Sequence, residues 1–227
     1  MKLVQICFIL DCTASMEPWI QAAKHQIMDI ITKLRKEYNE YRYEVALVGY
    51  RDYGDRQQFI IHDFTEAKQI VEYLKNIHAE GGDDEAEDVA EALEATSKLS
   101  WNVKEGICSI FHITDAPAHG VKYHTPEISD RYPRGDPNNI DPCLILRRLS
   151  TFGIDYTFIK IRNSTDMMIR LFHTTYTNYG MGEFTVLDLR PQAVNTPDPT
   201  IMLTPSVLRS VTRSITQHTS YKDQESE

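Results

Sequence analysis

The segment Leu3 to Leu10, LVQICFIL, is apolar almost throughout and stops at Asp11. A strand that is apolar at successive positions has no face to give to water. It belongs in the middle of a parallel sheet covered on both sides. Glu17 to Tyr38 follows with apolar residues at helical spacing: Ile20, Ala23, Ile27, Ile30, Ile31 and Leu34. Five more strands are expected: Tyr43 to Tyr50, Gln57 to Phe64, Ile107 to Asp115, Asp155 to Ile161 and Glu183 to Leu189. The tight Gly54-Asp55 turn makes the second and third of the six strands a hairpin. Helical segments alternate with the strands: one capped by Thr65 and running to Ile77, an acidic one in DEAEDVAEALEAT, then Pro142 to Thr151, Thr165 to Tyr176 and Ser206 to Thr216. The pattern predicts an α/β fold. Its sheet is doubly wound, six-stranded and mostly parallel, with helices on both faces and one antiparallel edge strand. One domain spans residues 1–219, and 220–227 form a polar tail.

Charge and cysteine usage narrow the function. The 227 residues carry a formal net charge of -9. That disfavours nucleic acid or an anionic membrane as partner and suits a cation or a basic surface. The start MKLVQICFIL reads as a first strand, since it lacks a small-residue cleavage site and runs directly into Asp11. No segment is long enough to span a bilayer. Cys7, Cys12, Cys108 and Cys143 form no CxxC pair. Buried reduced thiols in the cytoplasm are therefore expected rather than a zinc ribbon.

In doubly wound sheets, ligands bind beyond the carboxyl ends of the strands, where the topology switches. Asp11 and Asp115 each close a strand at that end. Thr13 and Ser15 follow Asp11 at alternate positions, and extended backbone aims alternate residues the same way. Carboxylates and hydroxyls are hard oxygen donors, and such sets select Mg²⁺, Mn²⁺ or Ca²⁺.

Asp11-x-Thr13-x-Ser15 resembles the metal-ion-dependent adhesion site of von Willebrand factor A domains, and ITDAPAHG resembles the strand that carries that family's distal aspartate, Asp115 here. Most members place a metal-binding threonine in the third loop. This chain has none in GGDDEAEDVAEAL, which is similar instead to members whose D-x-x-E pattern supplies a glutamate. The resemblance implies Glu87 as third-loop ligand, with Asp84 a second-site or outer-shell residue. The stretches LDCTASM, VGYRDYGD, GGDDEAEDVAEAL and TDAPAHG look most like the von Willebrand A domains attached to protist alpha-kinases. No kinase activity is carried over with them. The implied function is an interaction module in which a partner's Asp or Glu completes the coordination of one divalent cation, Mg²⁺ by preference. Whether it works alone or in a larger assembly stays open.

The same residues have plainer uses. Thr13 and Ser15 can cap the first helix. Most of the run Asp83 to Glu94 can be a solvated helix face. Arg51, Asp52 and Asp55 can be turn residues or metal support. His112, His119 and His124 suggest zinc, against which stands simple packing beside a strand. Arg134-Gly135-Asp136 reads as a loop segment, not as a recognition motif. The alternative function is a Mg²⁺-dependent phosphohydrolase of haloacid dehalogenase type. That chemistry needs D-x-D, because the second carboxylate acts as general acid, and Thr13 stands at its place.

Overall fold

A computed structural model describes residues 2–190 and 198–224, with side chains described as far as His218. Six strands form one sheet: β1 (Lys2–Asp11), β2 (Tyr41–Tyr50), β3 (Phe59–Thr65), β4 (Gly106–Thr114), β5 (Asp155–Lys160) and β6 (Phe184–Asp188). The helices are α1 (Glu17–Glu37), α2 (Ala67–Leu74), α3 (Val89–Ser97), α4 (Pro142–Thr151), α5 (Asp166–Tyr179) and α6 (Leu203–Gln224). The strand order is β3-β2-β1-β4-β5-β6, and only the β2–β3 pair is antiparallel. The fold is thus the doubly wound, Rossmann-like one that the alternation predicts.

β1 is buried from Leu3 to Asp11 and divides its residues between two cores. Val4, Ile6, Phe8 and Leu10 pack with α1, α2 and α6. Cys7 and Ile9 face α3, α4 and α5. Removing such a side chain from water contributes about 1.5–3 kcal/mol each, so β1 anchors both layers at once. Phe8 stacks on Phe111 of β4 with ring centroids 5.7 Å apart. Gln5 is the polar exception in the run. It is held by Glu44 and by the backbone of Ser100 and Asn102.

The chain builds β1, β2 and β3 outward on one side, then crosses back to lay β4 on the other side of β1. The switch point therefore lies at the carboxyl ends of β1 and β4, where Asp11 closes its strand and Asp115 follows Thr114.

Three expectations are corrected. Thr65 ends β3 and does not cap α2. The residue before that helix is Glu66, which makes no side-chain cap bond. The acidic helix starts at Val89 rather than Asp84, because 84–88 is held as a loop by other backbone partners. Ser129 C=O accepts the N–H groups of Glu85 and Ala86, Pro117 C=O accepts that of Glu87, and Asp88 caps α3 through Glu91 N–H. The last helix runs from Leu203 to Gln224, well past Thr216. Of the polar tail expected at 220–227, residues 225–227 lie outside the described residues.

The four cysteines are buried and free. His112 packs in β4 between the hydroxyls of Tyr50 and Tyr156. The Arg134-Gly135-Asp136 segment is part of the loop's own scaffold. Gly135 has φ +105° and Asp136 accepts from Ile140 N–H at 2.7 Å. Among the described residues no helix is long and apolar enough to cross a membrane.

Candidate metal centre

Asp11 ends a strand pinned on both edges, opposite Tyr50 of β2 on one side and just past the Leu10–Ile113 pair on the other. Its carboxylate is fully buried and has its own set of partners. Oδ1 accepts from Thr13 N–H at 2.9 Å and from Thr13 Oγ1 at 2.6 Å. Oδ2 accepts from Thr114 Oγ1 at 2.9 Å. Burial pushes the Asp11 carboxyl up to about 6, helped by the charge of Asp115 and opposed by the bonds from Thr13. Asp11 thus fixes the Thr13 hydroxyl and leaves that oxygen's lone pairs available.

Ser15 lies in the short 3₁₀ turn Ala14–Met16 that leads into α1. Its hydroxyl donates to Asp115 Oδ1 at 3.0 Å. On the far side, Arg162 Nε lies 3.1 Å from Asp115 Oδ2. Ser164 Oγ donates to the Asp115 carbonyl at 2.7 Å and fixes the turn after β4.

Glu87 is brought in by its backbone, which pairs as a parallel bridge with Ala118. Its side chain is 3% exposed, and Oε2 has no partner among the described residues. Burial pushes this carboxyl up to about 11, and the charges of Asp11, Asp52, Asp55 and Asp84 add to the effect. Gly82 makes the approach possible. A Cβ there would stand 2.9 Å from Glu87 Oε1 and 3.2 Å from Thr13 Cβ, and the backbone has φ +82°.

Thr13, Ser15, Gly82, Glu87, Asp115 and Arg162 line one cleft of about 540 Å³, with Asp11 beneath Thr13. The donor set is all oxygen. A buried carboxylate oxygen without a partner is what a cation would relieve, so these residues fit a hard divalent ion. Thr13, Ser15, Glu87 and Asp115 could hold one, with Asp11 behind them.

Asp84 lines the same cleft but turns toward a second group. Its Oδ2 accepts from Arg131 N–H at 2.6 Å, and its donor atoms lie within 4.8 Å of those of His119 and Asp130. Asp52 completes this group, 2.7 Å from His119 Nε2. Sequence reasoning missed Thr114, Asp130 and Arg162. Thr114 and Arg162 had a usable signal, since each sits at the carboxyl end of a central strand beside the switch point. Asp130 had none, because it comes from the middle of a long loop.

The chain matches the family model of the von Willebrand factor A domain over residues 5–129. It is 31% identical over 175 residues to alpha-protein kinase vwkA of Dictyostelium discoideum, an alignment covering 75% of this chain and 27% of that protein. The chain therefore spans about a quarter of that relative's length. Three solved structures share the fold. The pilus adhesin SpaC from Lactobacillus rhamnosus GG superposes with a TM-score of 0.61 at 13% identity, over 93% of this chain and 30% of SpaC. The SpRpn10 VWA domain does so with 0.55 at 10%, over 89% of this chain and 94% of that one. The D319A mutant of the PilB minor pilin from Streptococcus sanguinis gives 0.57 at 12%, over 93% and 62%.

Proposed function

Because this chain belongs to the von Willebrand factor A domain family, we propose that it is a protein–protein interaction module whose recognition surface is the cleft over Asp11. The observation that carries this reading is Glu87, a buried carboxylate with an unpartnered oxygen, which lines the same cleft as the hydroxyls of Thr13 and Ser15 and the carboxylate of Asp115. A divalent cation held there, Mg²⁺ by preference over Mn²⁺ or Ca²⁺, supplies a coordination position that an Asp or Glu of the partner completes. The chain's own residues do the rest. Thr114 holds Asp11, and Asp11 in turn holds Thr13 in place. Ser15 and Arg162 fix the two oxygens of Asp115. Arg162 is largely exposed at the rim, so it also presents a positive charge to an acidic partner. The long loop Ala116 to Asn139 borders the site and sets partner choice.

The haloacid dehalogenase alternative gains no support from the family match, and Thr13 donates to Asp11 instead of offering a second carboxylate. The kinase activity in the relative's name belongs to that protein and is not assigned to this chain. Four buried free thiols suit the cytoplasm.

The test is affinity capture of partners from the chain's own cells, with Mg²⁺ and with chelator, using wild type and Asp11→Ala. The reading expects capture that needs both the cation and Asp11. A partner held equally well in chelator and by Asp11→Ala would move recognition to another surface.

A further inference from the structure

Three loops meet beside the Asp11 cleft: the one after β2 brings Asp52, the Gly81-Gly82 loop brings Asp84, and the long loop after β4 brings His119 and Asp130. The side chains of Asp52, His119 and Asp130 are 1%, 3% and 3% exposed. The imidazole is fixed on every side. Nε2 lies 2.7 Å from Asp52 Oδ1, Nδ1 lies 2.7 Å from Asp130 Oδ1, and the rings of Tyr53 and Tyr132 pack against it with centroids 5.7 and 5.0 Å away.

The carboxylates are not equivalent. Asp130 is saturated. It accepts from Gly120 N–H and Tyr132 N–H and also contacts His119 and His124. Asp52 and Asp84 are not. Their carboxyls lie within hydrogen-bonding reach of each other. Yet Asp52 Oδ2 and Asp84 Oδ1 are buried and have no donor among the described residues. No lysine or arginine pairs with either there. Arg51 is spent on the carbonyls of Cys12, Gln57 and His78, and the Arg131 guanidinium pairs directly with Asp83, adding only its longer-range charge to Asp84 and Asp52. A charged His119 bridging Asp52 and Asp130 would account for their Oδ1 atoms and leave the two facing oxygens unexplained.

We propose that Asp52, Asp84 and His119 Nε2 form a second metal site, distinct from the Asp11 cleft, with Asp130 as the carboxylate that orients His119 through Nδ1. A ligating histidine characteristically gives its other ring N–H to a carboxylate, the position Asp130 holds. One imidazole nitrogen with two carboxylates suits Zn²⁺ rather than Mg²⁺, which keeps to oxygen donors and its own waters. The site ties together three loops that carry little regular structure, so it stabilises the rim on which partners would be read.

Calorimetry with Zn²⁺ in a large excess of Mg²⁺ tests this on the full chain. Wild type and Asp11→Ala should each bind one Zn²⁺. Asp84→Asn and His119→Gln should weaken it at least ten-fold. Co²⁺ in place of Zn²⁺ should give visible absorption bands in wild type that are lost in Asp84→Asn. Asp84 is only half-buried in a loop, so this variant keeps its core if His119→Gln does not. An absence of saturable Zn²⁺ binding to wild type would overturn the site, as would Zn²⁺ binding unchanged by Asp84→Asn. Loss of Zn²⁺ in Asp11→Ala would also overturn it, because the ion would then sit in the first cleft. Mg²⁺ titration of the same variants reports on that first cleft separately.

Discussion

Glu87 and Asp83 stand four residues apart in one acidic run and have opposite fates. Asp83 is 71% exposed and pairs with Arg131 on the surface, an interaction worth about 0–1 kcal/mol. Glu87 is buried, with one oxygen unpartnered. Glu87→Gln should therefore raise the stability of the metal-free protein at neutral pH, because the amide is neutral without taking up the proton that the buried carboxyl needs. The same change should weaken divalent-cation binding strongly, whereas Asp83→Ala should change neither by much. Urea unfolding in chelator and cation titration check the pair. A larger loss of binding from Asp83→Ala would mean that the third loop is aligned wrongly. The residues legible from sequence were those whose chemistry and place in the chain agreed: Asp11, Thr13 and Ser15 after a buried strand, Asp115 after another. Glu87 was reached through a family pattern, since nothing in the run itself separates it from its acidic neighbours. Asp130 was not reached, because a loop's path in space is not written in its local composition.

At the scale of elements, two of the turns that carry a glycine in the left-handed region can be told apart. Gly54 has φ +89° and open space where a Cβ would go, while Gly82 has φ +82° and packs against Glu87 and Thr13. Both Gly→Ala changes should cost about 1–2 kcal/mol in backbone strain. Only Gly82→Ala should also disturb the cation site, by pushing Glu87 away. Cation affinity unchanged in Gly82→Ala would show that the loop's approach to Glu87 is dispensable. Periodicity located the strands well because each is a short buried run with one reading. Helix ends were less legible. Asp84 to Asp88 has good helix composition, but tertiary bonds to Ser129 and Pro117 take its backbone first. Thr65 has a capping side chain, but β3 claims it.

For the whole molecule, two sets of buried ionisable groups give the stability curve its shape. Burial pushes His112 down to about 3 from an ordinary 6.5. The unfolded chain therefore takes up a proton first, and His112's contribution is complete above pH 6.5 and lost as the pH falls toward 3. Asp11 and Glu87 work the other way. Their folded carboxyls are raised to about 6 and about 11, so their protonated forms are favoured in the fold and stability is lost as the pH rises. Above pH 6.5 only the Glu87 effect still runs among these three. In chelator, the melting temperature should fall between about pH 6.5 and 9, and Mg²⁺ should remove that fall by neutralising the cleft. A melting temperature that is flat with pH in chelator would contradict the burial of an uncompensated Glu87. The central claim is that one divalent cation binds over Asp11, and calorimetry with Mg²⁺ on wild type and Asp11→Ala tests it most directly. The account predicts one saturable Mg²⁺ per chain in wild type and none in Asp11→Ala, with the variant's metal-free stability within about 1 kcal/mol of wild type. Equal Mg²⁺ binding by the two proteins, or none by wild type, would contradict it.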